Sequence, residues 1–98
     1  MFAEILQGVL TKTPGAVAVT IMGFDGIPID TQDHAGDPAL QHQTAIVELG
    51  PLATQLQRIS ESVGTGEVKE LSVQTGGLTT VLRWLTDEYF IALSLTPD

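Results

Sequence analysis

Apolar residues recur at helical spacing from the start of the chain. Phe2, Ile5, Leu6, Val9 and Leu10 share one face, with Glu4, Gln7 and Lys12 falling between them. Thr13-Pro14-Gly15 ends this first helix, because a proline cannot continue the hydrogen-bond ladder and a glycine accepts a left-handed turn. The run Ala16-Val17-Ala18-Val19-Thr20-Ile21-Met22 is β-branched and almost wholly apolar, which predicts a strand buried on both faces. Gly23-Phe24-Asp25-Gly26 carries an Asp-Gly hairpin signal. The return strand, Ile27 to Thr31, contains Pro28, and that places it at a sheet edge.

Residues 32–36 read as loop. Asp37-Pro38 then signals a helix start, with Asp37 as the expected cap and Pro38 pre-set for the first turn. The helical region runs to about Val63. Its best stripe is Leu49, Leu52, Leu56, Ile59 and Val63, spaced 3, 4, 3 and 4, with Ile46, Val47 and Ala53 widening it. Gly50-Pro51 falls in the middle, where the lost bond to the carbonyl of Val47 predicts a kink or a break. Gly64-Thr65-Gly66 ends the region. The last third alternates like a β-meander. Leu71, Val73 and Thr75 alternate with polar residues, Gly76-Gly77 turns the chain, and Thr79–Leu85 and Tyr89–Leu95 follow on either side of Thr86-Asp87-Glu88. The stripe on the long helix serves its own sheet alone, or its sheet and a second partner as well.

The order helix–strand–strand–helix–strand–strand–strand, together with local residues, resembles the roadblock family, the dynein light chain and small-GTPase-regulator superfamily. The most specific piece runs from Gly15-Ala16-Val17-Ala18-Val19 through Met22-Gly23-Phe24-Asp25-Gly26-Ile27-Pro28-Ile29. It is similar to that family's first hairpin, and Glu88-Tyr89-Phe90-Ile91-Ala92-Leu93 is similar to its last strand. The likeness spans residues 1–98 as a single domain. Its wording is nearest to small bacterial members of the cell-polarity and gliding-motility module. The resemblance implies an α+β fold: a five-stranded antiparallel sheet, a long helix on one face, and a short N-terminal helix on the other. The family's third helix is missing before the chain stops at Asp98. It also implies a homodimer or roadblock heterodimer joined through the second helix and the strand after it. Leu49, Leu52, Leu56, Ile59 and Val63 are then the expected dimer interface. Further implied partners are a Ras-like small GTPase or its regulators, and a response regulator. The implied role is that of a non-catalytic adaptor, with a motor-associated light chain or other scaffold as the alternative.

Composition narrows the classes. The 98 residues carry 4 basic and 12 acidic side chains, a net charge of −8, and no cysteine. A disulfide framework, a thiolate metal site and a cysteine nucleophile are thereby excluded. Lys12, Arg58, Lys69 and Arg83 are scattered singly, so no basic patch can neutralise phosphates, and neither nucleic acid nor an anionic membrane is expected as a partner. No apolar run reaches the ~18 residues of a membrane span. The beginning of the chain lacks a basic signal-peptide region, so the expected location is the cytoplasm. His34 and His42, with Asp33 and Asp37, invite comparison with a metal cluster or a small acid–base enzyme. Their spacing supplies no three convergent ligands, and they read instead as solvated residues. Ser60, Ser62, Ser72 and Ser94 have no nucleophile elbow and no histidine beside them in a motif. Arg58 and Arg83 read as surface arginines rather than as fingers reaching for a nucleotide. Catalytic residues, cofactors and metals are accordingly all expected to be absent.

Overall fold

The computed structural model describes residues 2–97. The elements are α1 (Phe2–Lys12), β1 (Ala16–Gly23), β2 (Pro28–Asp33), α2 (Asp37–Ser62), β3 (Glu70–Gln74), β4 (Thr79–Trp84) and β5 (Tyr89–Leu95). All five strands join one antiparallel sheet in the order β2-β1-β5-β4-β3. β1 therefore lies inside the sheet and is buried along most of its length, as its almost wholly apolar run demands. The chain has the α+β architecture and element order expected of a roadblock domain.

Strand register divides the apolar residues between two layers. Met22, Leu82, Phe90 and Ala92 point to one side and pack with Ile46 and Ala53 of α2. Val19 and Ile21 point to the other and pack with Leu6 and Leu10 of α1. Ile5, drawn into the α1 stripe by its spacing, is 63% exposed, so that helix buries a narrower face than its sequence suggests.

The β1–β2 hairpin turns through Phe24, Asp25 and Gly26. Gly23 and Ile27 close it by a backbone bond of 3.0 Å, and the Asp25 carboxylate accepts the Ile27 N–H. Gly26 has φ of 89°, a left-handed conformation that glycine adopts without Cβ strain. The edge strand β2 is guarded. It starts at Pro28, its register with β1 shifts between Ile21 and Met22, and it carries Asp30 and Asp33. Proline, irregularity and charge are the features that keep an edge from pairing with another strand.

Three expectations need correction. The N-cap of α2 is Gly36, with φ of 132°, not Asp37. Asp37 is instead the first helical residue, and no side chain caps the helix. The break that Gly50-Pro51 predicted as one alternative does not occur: α2 is one continuous helix of 26 residues with Pro51 inside it. Gly50 has no Cβ to collide with the proline ring, which removes one of the clashes that disfavour helix at the residue before a proline. The return strand β2 also extends past Thr31 to Asp33.

Candidate interaction surface

α2 lies on the sheet through Ala39, His42, Ile46, Gly50 and Ala53, its buried residues. Three of these five are glycine or alanine. Small residues let a helix axis come close to a sheet, and close approach leaves no room for a row of leucines. The leucine stripe is thus a different face. At 3.6 residues per turn, Leu49, Leu52, Leu56, Ile59 and Val63 lie about 100° around the axis from the sheet-facing row. Leu49 still packs against the edge of the core, and Leu56 is half-buried. Leu52, Ile59 and Val63 are 42%, 57% and 65% exposed. The helix therefore carries an apolar row that its own sheet does not cover.

The stripe does not stand alone. Gln57 accepts the Val68 N–H at 2.9 Å and donates to Glu61 at 3.0 Å, tying the end of α2 to the segment entering β3. β3 is the other edge of the sheet. It contains no proline, its register with β4 is regular, and its one acidic residue, Glu70, pairs with Arg83 at 3.6 Å. Unlike β2, this edge is unguarded.

Beneath the first half of α2 is a buried polar chain that local sequence patterns do not reveal. His42 is fully buried rather than solvated. Its Nε2 lies 2.9 Å from Thr20 Oγ1 on β1, and its Nδ1 is hydrogen-bonded to Ser94 Oγ on β5. The chain continues from Thr20 to Thr31 on β2, and from Ser94 to Thr80 on β4, each at 3.0 Å. One imidazole thus links α2 to four strands. Burial lowers the His42 pKa to about 4, while the carboxylate of Asp33 pulls it the other way. The ring is neutral at pH 7, one nitrogen donating and the other accepting. A Ser–His contact can serve nucleophilic catalysis, but here both side chains are 0% exposed and a substrate has no approach. The contact bridges α2 to the sheet beneath it.

The other candidate chemistry stays apart. His34 is exposed in the loop before α2. Among the described residues, no group of three or more histidine, cysteine, aspartate or glutamate side chains converges to hold a metal ion. Arg58 and Arg83 are exposed on separate elements. A groove of about 500 Å³ under the end of α2 is lined by Gln57, Glu61, Lys69 and Trp84 among others, without a paired base and nucleophile. Among the described residues no helix is long and apolar enough to cross a membrane.

No protein-family model matches the sequence, and no curated protein matches it. Solved structures do. MglC from Myxococcus xanthus is 38% identical over 99% of this chain and 81% of its own, with a TM-score of 0.64. The gliding protein MglB from Thermus thermophilus is 16% identical over 96% of this chain and 70% of its own, with a TM-score of 0.80. A Roadblock/LC7 domain from Streptomyces avermitilis is 16% identical over 95% of this chain and 76% of its own, with a TM-score of 0.64. The two more distant structures share the fold, and MglC shares the sequence as well. On that likeness and on its own sheet order and helix placement, the chain belongs to the roadblock family, beside its bacterial gliding-type members.

Proposed function

We propose that this protein is a non-catalytic adaptor that pairs with a second roadblock chain and regulates a Ras-like small GTPase in bacterial cell polarity or gliding motility. The observation that carries the reading is the apolar row of exposed Leu52 and Ile59 on α2 and Val63 at its C-cap, with half-buried Leu56 between them, on a helix whose end Gln57 ties to the segment entering the unguarded edge β3. Exposed apolar rows of this kind mark protein–protein contact surfaces. In the pair, two α2 helices meet through their stripes while two β3 strands lie side by side. The buried His42–Ser94 contact supports a structural rather than catalytic chain, and the likeness to MglC and MglB supports the motility setting.

Ile59→Asp tests the pairing. Ile59 is exposed in the single chain, so a charge there leaves the fold intact yet is desolvated when two stripes meet. Light scattering at ~100 μM, where even a pair with Kd of ~10 μM forms, is expected to give a dimer for the parent. The variant is expected to be a monomer with an unchanged circular dichroism spectrum. A monomeric parent refutes the reading. The GTPase arm is tested by retention of a Ras-like GTPase loaded with a non-hydrolysable GTP analogue. Equal failure to retain the GTP-bound and GDP-bound forms moves the protein to the scaffold reading.

A further inference from the structure

A helix resting on a sheet through small residues approaches closely but interlocks little. Of the residues that α2 buries, Ala39, Gly50 and Ala53 present a methyl group or less, which leaves His42 and Ile46 to key the helix. Ile46 sits among Met22, Leu82, Phe90 and Ala92, and such contacts are non-directional. His42 differs. Its two nitrogens are tied to Thr20 and Ser94, on strands that are neighbours in the sheet. Rolling α2 about its axis breaks at least one of those bonds. A roll of about 30° carries a side chain ~6 Å from the axis through about 3 Å, enough to lose register with a partner.

We infer that His42 is a positioning residue for the α2 surface: it sets the roll of the helix, and proton uptake at its ring loosens pairing through the stripe. The inference rests on the reading that the chain pairs through α2. A neutral ring suits its site because Thr20 and Ser94 can each donate or accept, being relayed to Thr31 and Thr80. A second proton makes both nitrogens donors and places a charge where β1, β4 and β5 face it with hydroxyls alone. Asp33 of β2 is the carboxylate that acts on it, and its own side chain is exposed. A roll that breaks these bonds and lets water reach the ring raises its pKa from about 4 toward its ordinary 6.5. Acid therefore favours release between these two values, by at most about tenfold in the release equilibrium per pH unit and protomer.

The experiment compares the full chain with His42→Leu. Leucine nearly fills the same space, and Thr20 and Ser94 keep Thr31 and Thr80 as partners, so the variant folds. Should it fail to fold, His42→Gln keeps a hydrogen-bonding group that does not titrate and serves the same comparison. Dissociation constants are measured by analytical ultracentrifugation from about pH 7.5 to about pH 5 at constant ionic strength. The parent Kd is expected to rise as the pH falls, and that of the variant to stay level or rise distinctly less. Parallel pH dependence in both proteins overturns the inference, as does a His42 ring that titrates near 6.5 in the folded dimer. Amide hydrogen exchange over residues 39–50 reads the pin independently of assembly. Exchange corrected for intrinsic rate that accelerates with acid in the parent but not in His42→Leu upholds the positioning role. A parent that is monomeric at about pH 7.5 overturns the α2 pairing itself and leaves that exchange result standing.

Discussion

Replacing Pro51 with alanine is expected to stabilise the protein by about 2 kcal/mol. Pro51 lies in the interior of α2, where its nitrogen offers no proton to the carbonyl of Val47 and its ring crowds the preceding turn. An interior proline costs about 3 kcal/mol relative to alanine. Two features of this site reduce that figure. Val47 is 52% exposed, so water reaches this side of the helix, and Gly50 offers the proline ring no Cβ to strike. About two-thirds of the penalty is left to recover, and Pro51 is itself exposed, so no packing is lost on replacing it. Urea unfolding, followed by helical circular dichroism and by the single tryptophan, Trp84, measures the gain at fixed protein concentration. With a urea slope of about 1–3 kcal/mol/M for a domain of this size, the midpoint is expected to rise by roughly 1 M. An unchanged or lowered midpoint refutes the reasoning, because the helix would then not be strained at Pro51. A second substitution sharpens the test. Gly50→Ala places a Cβ about 4.0 Å from Phe90 Cε2, an ordinary contact. In the Pro51→Ala background it is expected to add up to about 1 kcal/mol, and with Pro51 present to add less or destabilise.

Other consequences can be measured on the same preparation. Phe90, fully buried and tilted against Phe24 with ring centroids 5.0 Å apart, is expected to cost about 3–5 kcal/mol when truncated to alanine, read from urea midpoints. The His42 pKa is lower folded than unfolded, so its stabilising neutral state is fully present above about 6.5 and is lost as the pH falls toward about 4. Over that window the parent is expected to lose about 3 kcal/mol more than His42→Leu, checked by urea titrations at each pH; equal losses refute it. Arg83→Ala removes an ion pair whose side chains are 68% and 51% exposed, and is expected to shift stability by less than about 1 kcal/mol in low salt.

The order of elements was legible because each strand and helix announces itself locally. The run Ala16–Met22, the Asp25-Gly26 turn and the Gly76-Gly77 turn all carry their signals within a few residues. The face of α2 that meets the sheet was not. Hydrophobic spacing favours large side chains, whereas close packing on the sheet selected Ala39, Gly50 and Ala53, so the conspicuous leucines belong to another face. His42 was hidden for a different reason. Its partners Thr20 and Ser94 lie 22 and 52 residues away and meet it only once the sheet has formed. The continuity of α2 through Gly50-Pro51 depends on what glycine lacks, which a rule about proline alone does not weigh.

The inequality of the two sheet edges also governs how far growth can proceed. Fibres need each added copy to expose a fresh site like the one it consumed. In the proposed pair, joined strand to strand along Glu70–Gln74, the ends turned outward both begin with Pro28, carry an irregular register, and bear Asp30 and Asp33. Neither outward end is a template, and a third copy finds no ladder to extend. Growth along the sheet from that pair is expected to terminate after one step. A domain built from β-branched strands can in this way be abundant and adhesive at one margin without accumulating as aggregate.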